Sequence, residues 1–91
     1  MVFDNKASGR FTVIEVNARD RPALLNRLAR SLFENKVTVN SAHITNYGER
    51  AVDTFYVTDL FGHKIVSPDR LRAIESALLH SASDQFAAEA A

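Results

Sequence analysis

Cysteine and tryptophan are absent from this 91-residue sequence, which also holds only three glycines and two prolines. Without cysteine, disulfides and thiolate metal sites are excluded. Charge of one sign is not in excess either. The 11 basic residues are matched by 11 acidic ones, and the formal net charge is zero. That balance argues against a general nucleic-acid or membrane-surface binder, which needs a basic surplus. Long apolar runs are missing too. None approaches the roughly 20 residues that cross a bilayer, and no secretory segment is recognisable. A cytoplasmic setting is the expectation. A chain of this length makes one small domain that buries only about 60% of its unfolded surface. Its core is marginal, so added support from a partner chain or a larger parent protein is expected.

What is present is organised by hydrophobic period. Val2-Phe3-Asp4 is a short apolar patch, followed by turn-like Asn5-Lys-Ala-Ser-Gly9. Phe11-Thr-Val-Ile-Glu-Val16 is rich in β-branched and aromatic residues and predicts a strand. The intervening turn is short enough for a hairpin. A first helix is expected from about Pro22 to Glu34, with Leu24, Leu25, Leu28, Ala29, Leu32 and Phe33 as its apolar stripe. Pro22 suits the first helical turn, and Asn35 suits a left-handed cap at the end.

From Val37 to Tyr47 the pattern predicts a second strand whose alternation slips. Val37 and Val39 are odd; Ala42 and Ile44 are even. A one-residue slip reverses the faces unless the strand bulges, so a bulge is predicted near Asn40-Ser41. Gly48-Glu49 supplies a hairpin turn. Ala51 to Asp59 is expected as the third strand, with Phe55 and Val57 on one face and Thr54, Tyr56 and Thr58 on the other. Lys64-Ile65-Val66 reads as a brief extended piece. Ser67-Pro68-Asp69 is a strong helix start: a serine cap, proline in the first turn, and an acid near the positive dipole end. Leu71, Ile74, Ala77, Leu78 and Leu79 are the expected buried stripe of that helix. Residues 81–91 read as a helix extension or a tail.

The expected fold class is α+β: a ferredoxin-like βαββα(β) sandwich, with two helices on one face of an antiparallel sheet. No fourth strand is recognisable after Leu79, and residues 2–4 are the candidate to fill the vacant edge beside the first strand. The expected organisation is residues 1–9 as an extension or edge strand, 10–80 as the domain, and 81–91 as the tail. The uncovered sheet face is expected to carry Phe11, Val13 and Tyr56, an invitation to pairing.

Chemistry concentrates in Asn17-Ala-Arg-Asp-Arg-Pro-Ala-Leu-Leu25, a strand-to-helix loop. Such a loop presents backbone N–H groups at a helix N-terminus, where anions bind. Asp20 is a candidate helix cap, and its carboxylate has spare acceptor sites for a ligand ammonium. Arg19 and Arg21 either point to solvent and pair with Glu15 or Asp20, or recognise a carboxylate or phosphate. His43, His63 and His80 fall in different elements, without zinc-site spacing. No metal or cofactor is expected. His43 is either a partly exposed strand histidine or a hydrogen-bonding ligand contact. Ser41 and His43 share a strand face, but no nucleophile elbow accompanies them. An acylphosphatase-type enzyme would want a glycine-rich cradle that Asn17 to Ala23 lacks. An RNA-recognition module would want a basic residue, glycine and spaced aromatics on the third strand. Arg50-Ala-Val-Asp-Thr-Phe-Tyr-Val57 departs from that, and Asp53 would repel phosphate.

Asp20-Arg-Pro-Ala-Leu-Leu25 resembles the signature of ACT domains, which usually carry glycine where this chain has Ala23. The resemblance extends through Val39-Asn-Ser-Ala-His-Ile-Thr45 and Tyr47-Gly-Glu-Arg-Ala-Val-Asp-Thr-Phe-Tyr-Val-Thr-Asp59. It covers roughly Phe11 to Leu79. The later segment is similar to ACT modules that end a bifunctional nucleotidyltransferase and hydrolase of bacterial nitrogen control. The resemblance implies a regulatory amino-acid-sensing piece without its own active site, with glutamine as ligand and the catalytic domains upstream. It also implies pairing with another ACT domain, as a homodimer or within the parent. In such pairs the ligand lies between the first loop of one module and the second strand of its partner. Carried over residue by residue, that points to Asn17, Asp20, Arg21, Pro22, Ala23 and Leu24 on one side. Ser41, Ala42, His43 and Ile44 supply the other.

Overall fold

A computed structural model describes residues 1–6, 8–19 and 23–82. The elements run β1 (Val2–Asp4), β2 (Thr12–Arg19), α1 (Leu24–Glu34), β3 (Thr38–Tyr47), β4 (Arg50–Thr58) and α2 (Pro68–Ala82). The four strands form one antiparallel sheet in the order β1-β2-β4-β3. Both helices pack on one face, the ferredoxin-like arrangement that the element order predicts. Even-numbered residues of β2 and odd-numbered residues of β4 face the helices, so Ile14, Val16, Phe55 and Val57 meet Leu28, Leu32, Ile74 and Leu78 in the core. The other face is open. Phe11 and Tyr56 lie edge to face there, and Val13 shares that face.

β1 does fill the edge. Val2, Phe3 and Asp4 stand opposite Glu15, Ile14 and Val13. Three residues make a weak ladder, and a polar clip reinforces it. The Thr12 hydroxyl donates to Asn5 Oδ1 at 2.6 Å and accepts from the Ile65 amide at 2.8 Å. Asn5 Nδ2 donates to the Ile65 carbonyl, and Lys64 Nζ to the Asn5 carbonyl. Residues 64–66, read from sequence as extended, pair with no strand; the clip holds them instead. Thr12 is fully buried. Thr12→Val keeps the shape but orphans an amide and an amide oxygen, so a loss of about 1–3 kcal/mol is expected in urea denaturation. Thr12→Ser should retain most of the stability.

Helix α1 departs from expectation at both ends. It begins at Leu24, and its cap position is Ala23, three residues after Asp20. At the far end the left-handed residue is Lys36 (φ 61°), not Asn35 (φ −92°). The Val37 amide donates to Leu32 O and the Lys36 amide to Phe33 O. This is a Schellman closure, with Leu32 and Val37 supplying its apolar contact in the core. Asn35 caps with its side chain, Nδ2 donating to Ser31 O. The buried stripe is Leu24, Leu28, Ser31 and Leu32. Phe33 turns outward, 79% exposed, because one residue advances the helix by 100° and Leu32 already points inward. On α2, Ile74 and Leu78 are buried, whereas Leu79 is exposed. Ser67 caps α2 through the Arg70 amide, as its sequence predicts.

The predicted bulge lies in β3. Val39 stands opposite Val57 and Ser41 opposite Tyr56, leaving Asn40 as the extra residue. β3 is an edge strand, and all ten of its residues are exposed. After β4 the chain turns around Asp59, whose Oδ1 accepts from the Phe61 and His63 amides. The His63 amide chiefly holds its carboxyl below the ordinary aspartate value. A pKa lowered by folding adds stability above the unfolded value, lost as pH falls through the folded one. Asp59→Asn should therefore flatten the acid side of a melting-temperature profile below about pH 4.

Candidate ligand site

The β2–α1 junction is built by a strand that stays paired to its last residue. β4 accompanies β2 from Thr12 to Arg19, with Arg19 opposite Arg50. Asn17 lies on the open face, exposed. Its Oδ1 accepts from Arg50 Nε at 3.0 Å, and its carbonyl accepts from Arg50 Nη2 at 3.3 Å. Asp20, Arg21 and Pro22 lie outside the described residues. Ala23 follows with φ 63° and ψ 13° at the cap position, and its own side chain supplies no cap hydrogen bond. The first N–H groups of a helix lack intrahelical partners and can bind anions.

An αL conformation costs an alanine roughly 1 kcal/mol that glycine avoids. The glycine usual in the resembling signature thus has a conformational reason here. Ala23→Gly should raise stability by up to about 1 kcal/mol, read by thermal or urea melts. Leu24 is 4% exposed and belongs to the core. Only its backbone is available to a ligand.

The β3 candidates divide between two faces. Ser41 and His43 share the open face, opposite Tyr56 and Thr54. His43 lies edge-on to the Tyr56 ring at 5.6 Å. Ala42 and Ile44 point to the helix side, opposite Phe55 and Asp53. β4 separates β3 from β2, and Asn17 and His43 stand opposite Val52 and Thr54, so they sit about 12 Å apart. Among the described residues, one chain does not bring the loop group and the strand group together.

Two features escape a motif search. Arg50 grips Asn17, and its place opposite Arg19 follows only from the strand register. Asp53 is 1% exposed, the one ionisable residue among the buried described residues. It lies on the core face with Ala51 and Phe55, so it cannot repel a ligand on the open face. The alternation of β4 carries that signal. Among the described residues no group of His, Asp and Glu has the spacing of a metal site, and no helix is long and apolar enough to cross a membrane.

These features define a small α+β sandwich of ferredoxin-like architecture, with an open strand edge and a strand-to-helix junction whose cap position is a left-handed alanine. Over all 91 residues the chain is 65% identical to part of the bifunctional uridylyltransferase/uridylyl-removing enzyme of Novosphingobium aromaticivorans. It is 70% identical over 89 residues to the enzyme of the same name from Erythrobacter litoralis, and 47% over 87 residues to that of Azospirillum brasilense. The chain covers 98% and 96% of itself in the last two matches. It spans about a tenth of the length of these relatives, covering 10%, 10% and 9% of them. No protein-family model matches.

Proposed function

We propose that this chain is the ACT-type regulatory module of a uridylyltransferase/uridylyl-removing enzyme, sensing an amino acid, glutamine foremost, in the cytoplasm. The observation that carries the proposal is the 65% identity across the whole chain to part of such an enzyme. The module has no active site of its own. Catalytic domains of the parent, which modify a P-II type signal protein, respond to it. Its working form is a pair, either two copies or this module with another ACT domain of the parent.

Physical features support the pairing. An exposed strand edge presents unpaired backbone groups, and proteins normally guard such edges with charge or proline. β3, Thr38-Val-Asn-Ser-Ala-His-Ile-Thr-Asn-Tyr47, has no Asp, Glu, Lys, Arg or Pro. An apolar groove of about 570 Å³ opens beside its first residues, lined by Ala29, Phe33, Val37, Val39 and Leu60. Antiparallel pairing along β3 brings one module's Ser41, Ala42, His43 and Ile44 toward its partner's loop, with Asn17, Asp20, Arg21, Pro22, Ala23 and Leu24. The helix amides take the ligand carboxylate, Asp20 takes the ammonium, and polar β3 groups read the side-chain amide.

A structural pairing module without ligand is the second possibility, and Ala23 favours it. Its methyl group stands at a left-handed cap where backbone and ligand would approach most closely. Calorimetry of the 91-residue chain with glutamine, glycine and other amino acids, run beside sedimentation, separates the two. Saturable heat for one amino acid with a dimer supports sensing. A dimer without heat at millimolar ligand supports the structural module. A monomer throughout, without heat, overturns both.

A further inference from the structure

Arg19 and Arg50 stand directly opposite each other in the β2–β4 ladder. Both belong to the open face and both are exposed. Directly opposed residues have Cβ atoms about 4.5–5.5 Å apart, and like charges there destabilise a sheet. Among the described residues, neither arginine makes an ion pair. Arg50 donates to Asn17 alone, through two neutral acceptors. The two contacts use one edge of its guanidinium and leave three of its five N–H groups. Toward the described residues, Arg19 retains all five. The acids of the neighbouring open face, Asp4 and Glu15, lie toward the other end of the sheet; Glu15 is four residues back along β2, about 13 Å. Glu49, next to Arg50 in the turn, pairs with neither. Tyr47 of β3 completes the row, opposite Arg50 and 65% exposed.

A fold that sets two arginines directly opposite each other, and steers one with Asn17, violates a local rule of sheet design. Such violations are expected where a ligand offsets the cost. Guanidinium pairs match the oxygens of a phosphoryl group, which two or more N–H forks can grip. A zwitterionic amino acid fits poorly, because among the described residues this row offers its ammonium no carboxylate. We propose that Arg19, Arg50, Asn17 and Tyr47 form an oxyanion site for a phosphate or pyrophosphate group, free or borne by a nucleotide. The site shares Asn17 with the proposed amino-acid site, but it rests on Arg19 and Arg50, which that reading does not use.

The test is an NMR titration of the full 91-residue chain with inorganic pyrophosphate, balanced against sodium chloride at equal ionic strength. Saturable shifts centred on the amides of Asn17, Arg19, Tyr47 and Arg50 are expected. Arg19→Gln and Arg50→Gln should each weaken binding about tenfold or more, the scale of one lost charge-assisted bond. Arg19→Gln should also melt higher than wild type without anion, and gain less on adding pyrophosphate. Among the described residues the Arg19 side chain makes no hydrogen bond, so that variant carries the test if Arg50→Gln disturbs the strand. A nucleoside diphosphate arm identifies the source: tighter binding with shifts at Tyr47 marks a nucleotide, equal binding a free oxyanion. Equal shifts with chloride alone, no saturation by roughly 10 mM, or undiminished binding in the double variant would overturn the site. A glutamine arm reports on the sensing module separately, since Arg19→Gln and Arg50→Gln alter no residue of the proposed amino-acid site.

Discussion

Phe55→Ala should remove about 3–5 kcal/mol of folding stability. Phe55 has no exposed surface and sits mid-strand on β4, between Ile14 of β2 and Ala42 of β3. Alanine there loses the ring's transfer free energy and leaves a cavity that the strands on both sides hold open. A domain of 91 residues has a total stability of about 5–14 kcal/mol, at roughly 0.05–0.15 kcal/mol per residue. The variant should therefore be largely destabilised or unfolded at 37 °C. Phe33→Ala deletes the same ring from a position 79% exposed. Its stability should stay within about 0.5 kcal/mol. Urea denaturation followed by far-UV circular dichroism compares them. Similar losses at both positions would contradict the assignment of the core to the helix-covered face.

Ile44→Lys should separate pairing from folding. Ile44 is 46% exposed on the helix side of the β3 edge. The substitution removes little core contact within one chain, so the melting temperature of the monomer should hardly move. In a paired assembly it replaces an apolar contact by a charge repeated near the same site of the other copy. A weakening of dimer affinity by about 100-fold is expected, close to 3 kcal/mol. Sedimentation across a concentration series reads it. If the mass is unchanged while the wild-type protein is dimeric, β3 is not the pairing edge. If pairing completes the amino-acid site, the same substitution should abolish glutamine binding while Arg19→Gln leaves it intact.

Much of the fold was legible because period and punctuation agree. The alternation of β2 and β4 identifies Ile14, Val16, Phe55 and Val57 as core without any coordinates. Ser67-Pro68-Asp69 announces α2, and the parity change between Val39 and Ala42 announces the bulge at Asn40. The helix ends were less legible. Asn35 is the commoner left-handed residue, yet Lys36 takes that conformation, because the 6→1 and 5→2 closure bonds require it one position later. Phe33 and Leu79 fit a periodic stripe, but a helix packed on a sheet buries only a narrow arc. The structure gives that arc to Ser31 and Leu32 on α1, and to Ile74 and Leu78 on α2.

The candidate site divides in the same way. The sequence alone determines that one small domain carries an αβ junction rich in charge, that no cysteine chemistry operates, and that β3 is an uncharged strand. Those properties are local: each depends on residue type and near-neighbour spacing. Tertiary structure decided that β3 stands at an edge, that β4 separates it from Asn17, and that Asp53 faces the core. It also decided that Arg19 meets Arg50. These depend on which strands become neighbours and in what register. That outcome is set jointly by the buried faces of two helices and a sheet, and by the clip of Asn5, Thr12 and Ile65 that leaves the β1 hairpin on one edge and β3 exposed on the other.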